Sequence, residues 1–133
     1  MFFRRQGLIL TLLLVFLIIA CSGGRNSDRI RIVKSTPDEG TILNKGSAVN
    51  LVVEVGYHLE SAKTGTVGLV VQDQDNNPIA QTLVIVQQGT RRITLEKTFT
   101  IPGEVKSLFV FTPLHVRGKE SSVASDSIGF SLK

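Results

Sequence analysis

From residue 29 to the end of the chain, apolar and polar positions alternate with a period of two. Successive side chains on a strand point to opposite faces, so this is the pattern of half-buried β-strands. No stretch holds the i, i+3, i+4, i+7 spacing of a substantial helix. Ile30, Ile32 and Val33 open the series, and the turn residues Thr36-Pro37-Asp38-Glu39-Gly40 close the first strand. After a second turn at Asn44-Lys45-Gly46 comes the clearest strand, Ala48 to Leu59. There Val49, Leu51, Val53, Val55, Tyr57 and Leu59 form one face, and Asn50, Glu54 and His58 stand on the other. Thr66 to Gln72 repeats the alternation before the polar turn Asp73-Gln74-Asp75-Asn76-Asn77-Pro78. Leu83 to Gln87 and Arg92 to Ile101 follow, separated by Gln88-Gly89-Thr90, and these three strands read as consecutive hairpins.

Ser107 to Thr112 is apolar on both faces through Leu108-Phe109-Val110-Phe111, which predicts a central strand, with Pro113 removing a ladder donor near its end. Arg117-Gly118-Lys119-Glu120 then turns into a last strand carrying Ile128, Phe130 and Leu132. Seven strands with turns every eight to twelve residues resemble an immunoglobulin-like or fibronectin type III-like β-sandwich. The segment Pro37 to Gly46, leading into the strand at Ala48, resembles the opening of many bacterial immunoglobulin-like modules. With one cysteine and no tryptophan, the antibody-type disulfide and core indole are both absent. The sole tyrosine, Tyr57, falls in the second strand and not at a tyrosine corner. The expected fold class is all-β: a seven-stranded antiparallel immunoglobulin-like β-sandwich preceded by a helical signal peptide.

Ahead of the strands the pattern changes. Arg4 and Arg5 precede an apolar run, Gly7 to Ala20, interrupted only by Thr11. As a helix this run spans roughly 21 Å, short of the ~30 Å hydrocarbon core of a bilayer. It ends at Ile18-Ile19-Ala20-Cys21, which resembles the lipobox of bacterial lipoproteins: an aliphatic residue, a tolerant position, a small residue and an acceptor cysteine. The family's most typical first residue is Leu, and Ile18 stands in its place. The resemblance implies that Cys21 carries lipid as acyl chains of the palmitate kind and that the Ala20–Cys21 bond is cleaved. At about 0.8 kcal/mol per buried methylene, two or three chains anchor stably where one does not. The competing readings are an uncleaved transmembrane anchor and an ordinary signal peptide that happens to end at cysteine. The polar stretch from Ser22 to Asp28 reads as a linker, at most about 25 Å long when extended. Ser22, directly after the cysteine, implies sorting to the outer membrane in a Gram-negative host. The organisation expected is thus a signal peptide over 1–20, a lipidated cysteine with its linker over 21–28, and one domain over 29–133.

Charge alters this picture little. Of 15 Lys and Arg, Arg4 and Arg5 belong to the leader, leaving 13 against 11 Asp and Glu. No run concentrates the positive charge, so nucleic acid is not an expected partner. The single cysteine excludes an intramolecular disulfide, and lipidation would consume its thiol.

Several side chains invite a chemical reading. Asp73, Asp75 and Asn77 have the odd-position spacing of a calcium loop, but Pro78 stands where a helix-loop-helix site needs Gly and Val84 where it needs Glu. Acidic and amide residues before a proline are also ordinary turn chemistry. His58 and His115 lack a second ligand or carboxylate at metal or dyad spacing. There is no Gly-x-Ser-x-Gly elbow and no phosphate-cradling glycine loop. Arg91-Arg92 and Arg117 with Lys119 form small basic pairs, readable as solvated loop charge or as contacts to lipid headgroups. The expectation is a non-enzyme without catalytic, cofactor or metal residues, exported and membrane-anchored, binding an envelope protein through the loops Pro37–Gly40, Asp73–Pro78 and Arg117–Ser121 or through a strand edge. An accessory subunit of an envelope secretion or assembly complex is the alternative, and a hydrolase with an unrecognised site is the third class.

Overall fold

A computed structural model describes residues 27–133, so Ala20, Cys21 and the leader lie outside the described residues. The described chain is all-β, with strands β1 (Arg29–Thr36), β2 (Ile42–Leu43), β3 (Ala48–Gln72), β4 (Pro78–Thr100), β5 (Ser107–His115) and β6 (Ala124–Leu132).

β3 is the spine. One edge pairs antiparallel with β4 from Ala48↔Thr100 to Gln72↔Pro78. The other edge pairs first with β1, from Arg29↔His58 to Thr36↔Val52, and then with β5, from Thr66↔His115 to Gln72↔Phe109. β6 continues the sheet on the far side of β5, and β2 adds a short parallel contact to β6 at Ile42↔Ser131 and Leu43↔Leu132.

The ladder between β3 and β4 breaks once in mid-course, between Leu59 and Thr64. Residues 60–63 of β3 stand there opposite Gln88 alone. Extra residues on one strand of a pair force it to bend, and this is a corner. Gln88 braces it, its side-chain amide donating to the Glu60 carbonyl at 2.8 Å. The corner divides the sheet into a first wing (β1, 48–59 of β3, 89–100 of β4) and a second wing (64–72 of β3, 78–87 of β4, β5, β6 and β2).

This arrangement differs from seven separate strands. Ala48–Leu59 and Thr66–Gln72 are the two arms of β3, and Leu83–Gln87 and Arg92–Ile101 are the two arms of β4. The expected hairpin at Gln88-Gly89-Thr90 is not formed. Gly89 has φ +125°, a conformation other residues rarely adopt, and carries the strand around the corner while still paired with Leu59. The antiparallel expectation also misses the parallel β2–β6 contact, which follows a short segment placed after the first turn. β5 runs through Pro113 to His115, and Gly68 accommodates the ring: a Cβ there would lie 3.2 Å from Pro113 Cγ.

The alternation does place the core. Val49, Leu51, Val53, Val55, Tyr57 and Leu59 are all buried, and Val67, Leu69 and Val71 continue the same face in the second wing. Leu95 and Ile101 are buried, with Ile93 and Phe99 packed against the core. β5 is central in the sheet, with β3 on one side and β6 on the other, but only its face of Leu108, Val110 and Leu114 is buried, and Phe109 on the opposite face is exposed. The buried apolar side chains run from Ile30 to Phe130.

Candidate functional site

Cross-strand register brings Arg29, Arg31 and Arg92, from distant parts of the sequence, to one face beside the corner, while Arg91 opposes the buried Tyr57. On the outer face of the first wing, Arg31, Gly56 and Arg92 form one lateral row across β1, β3 and β4. Arg29, His58 and Thr90 form the next. Directly opposed residues point to the same side of a sheet, so each row presents its side chains together. Gly56 has no side chain to cover the floor between Arg31 and Arg92. The result is an open groove of about 700 Å³ lined by these residues and by Arg91.

Local hydrogen bonding fixes the polar floor. His58 Nδ1 lies 2.6 Å from the Thr90 hydroxyl, and its Nε2 lies 3.6 Å from a Glu60 carboxylate oxygen. Arg92 Nη1 is 3.6 Å from Glu54 Oε1, an exposed pair that water screens. Arg29, Arg31, Arg91 and Arg92 are all exposed. Their guanidiniums are permanent cations with forked donors matched to phosphate and carboxylate oxygens, so the groove can hold anions.

The expected loops separate to opposite ends. Arg117 to Ser121 follows β5, whose last residue, His115, pairs with Thr66 beside the corner. Pro37 to Gly40 leaves β1 after Thr36↔Val52, and Asp73 to Pro78 leaves β3 after Gln72↔Phe109, so both lie away from the corner. Both basic pairs seen in the sequence, Arg91-Arg92 and Arg117 with Lys119, therefore belong to the corner end. The sequence contains no run of positive charge, yet the fold concentrates it there. The two basic pairs are visible in the sequence, but only the registers of β1, β4 and β5 on β3 bring them and Arg29 and Arg31 to one end.

Asp73 serves its own turn. Its carboxylate accepts hydrogen bonds from the backbone amides of Asp75 (2.8 Å) and Asn77 (2.9 Å) and from the Asn77 side chain (3.2 Å). These bonds, the Asn77 amide foremost, hold its pKa below the usual carboxylate value. Among the described residues no three His, Cys, Asp or Glu side chains converge as a metal site. His58 and His115 sit in different wings, His115 beside Thr66, Gly68 and Pro113.

No protein-family model and no characterised protein matches this chain.

Proposed function

We propose that this chain is a lipid-anchored envelope lipoprotein whose all-β domain is a non-enzymatic binding or structural module held at the membrane surface. The observation that carries the reading is the tetrapeptide Ile18-Ile19-Ala20-Cys21 at the end of an apolar run, with only a short polar stretch before the folded domain. The domain begins at Asp28, which is only 8% exposed. The tether on this reading is thus six residues, 22–27, with a reach of about 25 Å from the lipidated sulfur to Asp28. Cys21 is the lipid attachment site and Ala20–Cys21 the cleaved bond.

The domain itself is read as an immunoglobulin-like β-sandwich. Two hydrogen bonds between the wings support stacking about one core. The Tyr57 hydroxyl donates to the Gln87 carbonyl at 2.9 Å, and the Ile32 amide donates to Asp126 Oδ2 at 2.8 Å. Such modules recognise partners through end loops and strand edges.

The deciding experiment is Cys21→Ser in cells supplied with radioactive palmitate. Wild type takes up label and is processed, while the variant takes up none and accumulates as precursor. Continued labelling of the variant overturns the assignment.

One observation favours a second reading, an accessory subunit of an envelope secretion or assembly complex. The edge of β4 that faces away from β3 has no strand partner among the described residues, and Leu83 and Ile85 on it are 65% and 69% exposed. An unpaired edge with apolar side chains is a template for strand addition. Co-purification of a stable partner from solubilised membranes, lost on Leu83→Lys with Ile85→Lys, supports that reading.

A further inference from the structure

We infer that the corner end of the domain docks on anionic lipid headgroups of the membrane that holds it, with phosphates entering the groove between Arg31 and Arg92. The inference rests on the lipoprotein reading for the position of the tether. Its chemistry rests on the domain alone.

Two independent features of the fold meet at this end. The first is charge. The four groove arginines are joined by Lys63 within the corner and by Arg117 and Lys119 in the loop after β5. Against these seven cations stand Glu54, Glu60, Glu120, the buried Asp28 and Asp126, whose carboxylate takes the Ile32 amide beside Arg31. The far end reverses the balance: Asp38, Glu39, Asp73, Asp75 and Glu104 face Lys45, Lys106 and Lys133. A domain of small net charge is therefore polarised along its length, basic at the corner and acidic opposite. A polarised charge orients a protein at a charged surface even when its net charge does not.

The second feature is where the chain enters. Asp28 is hydrogen-bonded to the amides of Glu60 and Ser61 in the corner itself. The residues leading back to Cys21 start at the basic end and hold it within about 25 Å of the anchor. The acidic end then faces away from an anionic bilayer. Lipid on Cys21 supplies the affinity and the arginines supply the orientation, at roughly a fivefold gain in partition per basic residue near an anionic surface.

The test uses the chain from residue 21 onward carrying Cys21→Ser, so that no lipid contributes. It is sedimented with vesicles of phosphatidylcholine alone and of equal parts phosphatidylcholine and phosphatidylglycerol. The chain is expected to sediment with the mixed vesicles only. Arg31→Ala with Arg92→Ala should lower that partition by roughly twenty- to thirtyfold. Arg31→Lys with Arg92→Lys should keep most of it. Lys45→Ala with Lys106→Ala, which removes the same charge at the far end, should leave it unchanged. A β-type circular dichroism spectrum confirms that each variant is folded. Equal binding to both vesicles overturns the inference, as does an equal loss in the far-end pair. Release by inorganic phosphate at constant ionic strength also overturns it, by marking a free-anion site. Failure here with Cys21 still labelled removes the docking alone, and absent labelling with intact vesicle binding removes the anchor alone.

Discussion

Asp28 accepts two hydrogen bonds from Ser61, one from the backbone amide at 3.0 Å and one from the hydroxyl. A third, from the Glu60 amide at 2.7 Å, completes a cap over the point where β3 leaves its ladder. These amides have lost their strand partners at the corner, and a buried N–H without a partner is costly. Asp28→Ala should therefore destabilise the domain by about 2 to 4 kcal/mol, and Asp28→Asn, which keeps one acceptor oxygen, by less. Urea unfolding followed by circular dichroism measures both. A variant as stable as wild type would show that water takes over the capping.

Leu69 and Leu83 are fourteen positions apart on adjacent strands and differ wholly in burial, 0% against 65% exposed. Leu69 faces the core between Val67 and Val71, and Leu69→Ala should cost about 2 to 5 kcal/mol through lost burial and the cavity left behind. Leu83→Ala should cost under about 0.5 kcal/mol. Denaturant midpoints separate the two, and comparable losses would contradict the core assignment.

Burial at Leu69 was legible in the alternation, because a period of two assigns each residue to a face before the partner strand is known. β5 is central as expected, yet not for the expected reason, since Leu108 is buried while Phe109 on the other face is exposed. What the chain did not declare was continuity. Gln88-Gly89-Thr90 has the composition of a hairpin turn, and only the pairing of Gly89 with Leu59 makes it a corner. The linker likewise read as polar through Asp28, whose carboxylate proves to be a cap once residues 60 and 61 are brought beside it. The arginine groove was illegible because its members lie on three strands. Arg31 and Arg92 are 61 positions apart, and their shared row with Gly56 depends on two registers that no local spacing encodes. The proposed lipobox at Ile18 to Cys21, by contrast, is a contiguous motif, and the sequence is its whole basis.

Gly89 and Gly103 differ in backbone conformation and not in space. Gly89 and Gly103 both have open surroundings for a Cβ, but only Gly89 has positive φ, at +125°. Gly89→Ala should destabilise by about 1 to 3 kcal/mol, the scale of holding a side chain in a sparsely populated backbone region. Gly103→Ala should stabilise by about 0.4 to 1 kcal/mol, because alanine restricts the unfolded chain without strain in the folded one. Thermal unfolding of the two variants should move in opposite directions.

Asp73 supplies a prediction about acidity. The amide of Asn77, then that of Asp75 and the Asn77 side chain, favour the ionised carboxylate, against a desolvation that pushes the other way. The folded pKa lies below the unfolded one, so the contribution of this turn is fully present above the unfolded value. It is lost as pH falls through the folded value. Between neutrality and the ordinary carboxylate range the turn is insensitive to pH. In a titration followed by NMR, the amide protons of Asp75 and Asn77 should shift together, with a midpoint below that of an unfolded aspartate. Asp73→Ala removes both acceptor oxygens and should abolish that shared titration while leaving the core signals of Val71 and Val110 in place. A midpoint at or above the ordinary value would mean that the amides do not hold the carboxylate in solution.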